Sequence, residues 1–188
     1  MQKRHIALIT SLMIVVFVVG LGFGYYLTPT YKQTMYQNDQ MDLGTADRFV
    51  DLRYINQMIT HHRGAVLLAE QIDDKTNRPE IQSLAKEIQT NEPKLIDELY
   101  SWKKAWYNDV GKVADPSVAH LGTKDETVDL RFLNALIAHH EDGIKMTKEI
   151  RVKSSRKEIL DNADAVENFL KESSVTLTNW RMAWYANK

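Results

Sequence analysis

Two His-His pairs, His61-His62 and His139-His140, are the residues of this chain best equipped for chemistry. Neutral imidazole is a common metal ligand, and it titrates close to physiological pH. Adjacent helical residues point about 100° apart, so neither pair grips one ion as an i, i+4 pair would. His62 falls in the middle of an apolar stripe with Asp51, Ile55, Met58, Val66 and Ala69, whereas His61 sits on its edge with Tyr54, Ala65 and Ile72. His140 and His139 repeat these two placements. Imidazoles facing each other inside a helical bundle make a metal or haem site, and the sequence-based expectation is that His62 and His140 meet. The competing reading is a set of core histidines with satisfied hydrogen bonds and no ion.

Methionine adds a softer donor. Met58 precedes His62 by four residues, on the same side of the helix. Met146 follows His139 by seven, again on the same face but about 10 Å further along. Thioether is soft and imidazole suits copper, so a His-Met set favours copper, Cu(I) above all. Met58 and Met146 would equally serve as fillers of core gaps. Asp51 and Asp129 begin the same two helices, about 16 Å from the central histidine of their own helix. Each either orients a histidine of an antiparallel neighbour or is a favourable helix-start charge.

The histidine pairs belong to a longer repeat, with an offset of 78 throughout. Asp51-Leu52-Arg53 aligns with Asp129-Leu130-Arg131, and Lys75, Arg78, Glu80 and Ile81 with Lys153, Arg156, Glu158 and Ile159. Leu99, Trp102, Ala105, Trp106 and Tyr107 recur as Leu177, Trp180, Ala183, Trp184 and Tyr185. Roughly a third of the aligned positions are identical, which marks an internal duplication. The two Trp pairs, at i, i+4, read as packing between layers.

Each copy has the pattern of a helical hairpin. Copy one spans 45–108, a linker with Gly111, Pro116 and Gly122 spans 109–126, and copy two spans 127–186. Thr45 or Asp47 is placed to cap the first helix, and Asp73-Asp74-Lys75-Thr76-Asn77 ends it. Pro79 suits the first turn of the second helix, whereas Pro93 should kink or divide that helix. No alternating strand pattern is present, so residues 45–188 are expected to form an all-α, four-helix bundle from two duplicated hairpins.

At 188 residues the chain holds one domain of ordinary size and a tail. A net charge of -1 gives no basic field to hold nucleic acid. The lack of cysteine rules out disulfides, thiolate metal sites and a catalytic thiol. Phosphate-binding, nucleophile-elbow and zinc-protease motifs are absent, as are the Glu-x-x-His motifs of a di-iron carboxylate centre, so no enzyme is expected.

Ile6 to Leu27 is uncharged and long enough for the hydrocarbon core of a bilayer. Lys3 and Arg4 precede it and favour a cytoplasmic N-terminus. The expectation is a single transmembrane anchor over 1–27, a polar tether over 28–44 and a bundle in the periplasm or outside the cell. A cleaved signal peptide is the competing reading, and it also exports the bundle.

At these residues the chain resembles the domain-of-unknown-function 305 family, whose signature is close to D-x-x-F-[LI]-x-x-M-I-x-H-H-x-G-A-[VI]-x-M-A. Copy one matches it with Asp51, Tyr54, Ile55, Met58, Ile59, His61, His62, Gly64, Ala65, Val66 and Ala69. Copy two keeps Asp129, Phe132, Leu133, Ile137, His139, His140, Ile144 and Met146. The resemblance implies an exported, ferritin-like helical bundle, with copper or silver binding in some members. This chain departs from the family as a methionine-poor version: Leu68, Leu136 and Leu99 replace family methionines, and Asp142 replaces a glycine. The combined expectation is a membrane-anchored bundle that sequesters or delivers a copper ion through His62 and His140, with His61, His139, Met58 and Met146 as further ligands. The alternative is a structural or protein-interaction module whose histidines only order the core.

Overall fold

The computed structural model describes residues 42–186, and the expected membrane anchor lies outside them. Four helices account for most of this span: α1 (Val50–Ile72), α2 (Pro79–Tyr107), α3 (Val128–Arg151) and α4 (Lys157–Tyr185). Among the described residues there is no strand, and no helix is long and apolar enough to cross a membrane.

Local sequence explains the boundaries. Asp47 and Asp125 each accept the backbone N–H two residues on, from Phe49 and Thr127, and so turn the chain into α1 and α3. Pro79 opens α2, where its missing N–H costs nothing. Asn108 ends that helix in the left-handed conformation, its N–H returning to the last turn. The helix runs unbroken through Pro93, which is exposed, so water can serve the carbonyl that proline leaves unbonded.

α1 packs on α2 and α3 on α4, and the two hairpins join through α1 and α3. The core is two apolar clusters. One unites the C-terminal half of α1 (Leu68, Ile72) with the N-terminal half of α3 (Phe132, Leu133, Leu136). The other unites the N-terminal half of α1 (Tyr54, Ile55, Met58) with the C-terminal half of α3 (Met146, Ile150). The central helices are therefore antiparallel. Burying each such Leu or Ile side chain contributes about 1.5–3 kcal/mol, so the hairpins hold together through side chains the heptad-like pattern aims inward.

The duplication survives in three dimensions as an approximate twofold. Arg53 Nε donates to the Leu43 carbonyl at 2.6 Å, and Arg131 Nε to that of Leu121 at 2.6 Å. Gly44 and Gly122, next to these carbonyls, both take positive φ (66° and 71°) where the chain folds around the guanidinium. Other bonds cross between the copies: the Leu43 N–H goes to Glu149 and the Leu121 N–H to Gln71. Asp51 and Asp129 stand in the first turns of α1 and α3, as the helix-start reading has it, and each also pairs with an arginine of the opposite hairpin rather than with a histidine. Arg156 reaches Asp51 at 3.2 Å and Arg78 reaches Asp129 at 3.3 Å. The same two guanidiniums cover Trp106 and Trp184, each the C-terminal member of a stacked Trp pair.

Candidate metal centre

All four paired histidines are buried, at 2–5% exposure, and they lie at mid-bundle between the two apolar clusters. The rings that meet are His61 and His139, stacked with centroids 3.8 Å apart and planes 5° from parallel. The angular reading placed His62 and His140 at the centre and the other two at the edge. The difference has a simple cause. The apolar stripe of α1 is centred on its own hairpin partner α2, so the edge of that stripe faces α3 and the twofold. His62 and His140 turn outward to the long helices: His62 Nδ1 bonds the carboxylate of Glu92 on α2, and His140 Nε2 lies 2.9 Å from Ser173 Oγ on α4.

The four rings share a cavity of about 330 Å³ that opens between α2 and α4. Leu84, Ile88, Leu136, Val166 and Leu170 supply apolar wall, and Leu95 and Phe169 are exposed parts of the lining. Glu92 and Ser173 break the twofold, because their repeat counterparts are Leu170 and Leu95. Glu92 appears in the sequence only as one of several α2 carboxylates without a match in copy two. That mismatch, next to a histidine one helix away, was the signal that could have marked it.

Burial sets the charge state of the rings. Desolvation pushes His61 and His139 well below the usual imidazole range, and the neighbouring histidines lower them further. Burial alone brings His140 down to about 4. These three rings are neutral at pH 7, with a lone pair each. The Glu92 carboxylate engages His62 through Nδ1, so Nε2 is the ring nitrogen left to take a further partner. His62 Nε2, His61 Nδ1 and His140 Nδ1 are buried without a hydrogen-bond partner. Buried nitrogens in that condition are uncommon, and they are the chemistry a metal ion would satisfy. Among the described residues no three His, Asp or Glu side chains already converge as a coordination shell. Parallel stacked rings direct their lone pairs side by side, so His61 or His139 must turn to share an ion.

Met58 and Met146 are fully buried in the apolar cluster beside Tyr54 and Ile150, and neither lines the cavity. The structure thus brings the four histidines together with Glu92 and keeps the two thioethers in a separate layer.

Comparison with solved structures finds the same architecture in CopM. The Cu(I)-bound form matches with a TM-score of 0.64 at 23% identity, over 72% of this chain and 97% of that one. The Cu(II)-bound form gives 0.63 at 22% identity, over 72% and 97%. The Ag-bound form obtained by co-crystallization gives 0.63 at 24%, over 75% and 98%. At such identities the likeness establishes the fold. Comparison with the curated proteins returns no match. The family model described as "Domain of unknown function (DUF305)" matches from Asp51, in the first turn of α1, through the linker to Asp129 in the first turn of α3. Residues 51–129 of the chain thus carry the pattern of the DUF305 family.

Proposed function

We propose that the bundle binds a metal ion at the mid-bundle histidines and serves sequestration or delivery rather than catalysis. Copper is the first candidate ion. The observation that carries this reading is the set of buried imidazole nitrogens without partners, on His61, His62 and His140, around one cavity. Metal coordination gives such nitrogens the partner that the protein does not. A fold shared with a protein solved in Cu(I)-, Cu(II)- and Ag-bound forms supports copper. The exported, membrane-anchored location belongs to the same proposal. It rests on the apolar segment Ile6 to Leu27 and the basic residues before it.

Equilibrium dialysis of the purified full chain against Cu(II), followed by metal analysis, tests the reading. One ion per chain is expected, with affinity lost by at least about tenfold in the double variant His62→Ala/His140→Ala. A second reading, histidines that only order the core, draws on the close His61–His139 stack. It predicts a less stable double variant and no specific metal uptake by either protein.

A further inference from the structure

The donors around the cavity differ from the soft set that the methionines near the histidine motif suggest. We infer that this centre is built for a divalent cation of borderline hardness, with Glu92 as the residue that sets the preference, and discriminates against monovalent soft ions. The inference rests on the metal-binding reading above and names the ion class that the same site takes.

Three observations carry it. The polar side chains that line the cavity are four imidazoles, the carboxylates of Glu92 and Glu87, the amides of Asn91 and Asn162 and the Ser173 hydroxyl, nitrogen and oxygen donors with no thioether among them. The nearby thioethers, Met58 and Met146, are sealed in the apolar layer with zero exposure. Imidazole and carboxylate suit Cu(II) and Zn(II), whereas selectivity for Cu(I) draws on thiolate or thioether. Glu92 itself is bonded to His62 Nδ1, and the opposite nitrogen of that ring is buried and unpartnered. This is the carboxylate–histidine arrangement that fixes a ligand's tautomer and raises its basicity. A carboxylate in the site also offsets one of the two charges that a divalent ion brings into an apolar cavity. Ser173, the α4 partner of His140, has no such charge, so the preference resides on the α2 side.

The test compares two redox-inert probes, Zn2+ and Ag+, by calorimetric titration of the full chain. The wild type should bind Zn2+ at least about tenfold more tightly than Ag+. Glu92→Gln should weaken Zn2+ by about tenfold to a hundredfold, the usual loss when the carboxylate behind a histidine ligand is removed, and change Ag+ little. The double variant Met58→Leu/Met146→Leu should leave both affinities in place. Tighter binding of Ag+ than Zn2+, or loss of Ag+ binding in the methionine variant, overturns the divalent assignment and leaves metal binding standing. Failure of the wild type to bind either ion, or Cu2+ as a third probe, overturns the metal reading itself. Because the wild-type order of affinities decides the matter, the conclusion stands even where a variant folds poorly.

Discussion

His61 and His139 lie face to face across the α1–α3 interface, with ring centroids 3.8 Å apart and planes within 5° of parallel. Two imidazoliums could not occupy those positions, because burial and mutual repulsion both act against charge. The stack is thus a neutral arrangement, at the centre of four rings that line a single cavity together with Glu92 and Glu87.

Acid should unlock it. His61, His139 and His140 are depressed in the folded state, while the unfolded chain takes up protons below about pH 6.5. Between that pH and the folded-state values, about 4 for His140, the unfolded state binds more protons, so stability falls as pH falls. The slope is about 1.4 kcal/mol per pH unit for each such histidine. Urea unfolding at pH 7 and pH 5 should show a clear loss of stability at the lower pH. Equal stability at the two values would mean that the rings are not buried as described.

Glycine spacing around the rings gives an asymmetric pair of variants. A methyl group at Gly143 would lie 2.6 Å from His61 Cε1 and 2.5 Å from Leu170 Cδ1, closer than packing permits. Gly143→Ala should therefore destabilise by about 1–3 kcal/mol despite the better helix propensity of alanine. At Gly64 the nearest atom, His139 Cε1, is 3.3 Å away. Gly64→Ala should change stability by less than about 1 kcal/mol, because the propensity gain offsets a small shift of the ring. Thermal melts of the two variants check the contrast.

The crossed arginines should behave as equivalents. Arg78→Ala removes the partner of the largely buried Asp129 and the cation over Trp184, and Arg156→Ala does the same to Asp51 and Trp106. Each should cost about 1–3 kcal/mol in chemical denaturation, with the two values close to each other. A neutral result for both would remove these clamps from the account of hairpin docking.

Tyr54 offers a milder test of the twofold. Its hydroxyl bonds Asn162 Oδ1 at 2.7 Å, yet the matching position in copy two is Phe132, also fully buried. Tyr54→Phe should cost about 0.5–1.5 kcal/mol, the value of the hydrogen bond, since a ring of that shape already fits the equivalent site. Calorimetric unfolding of the variant measures it.

Much of this architecture is legible in the residues. Pro79, the Asp73–Asn77 break and the apolar period place the helices, and the 78-residue offset foretells the twofold. The burial of all four histidines also follows from the stripe. Their pairing does not, because the stripe reports the direction of the nearest helix and says nothing of which second helix faces its edge. The role of Glu92 is hidden for a related reason: its partner is 30 residues away on another helix, and the repeat holds no copy of it. The crossed Arg–Asp pairs are invisible for the same cause, since each joins residues more than 50 positions apart by a contact that only the docked hairpins create.

X-ray absorption of the Zn2+-loaded full chain tests the central claim most directly. The account predicts a first shell of at least two imidazole nitrogens at about 2.0–2.1 Å, with oxygen at similar distance and no sulfur at about 2.3 Å. A sulfur-containing shell would put a methionine in the site and contradict the donor set described. A shell without imidazole would place the ion elsewhere, and the mid-bundle histidines would then be core residues only.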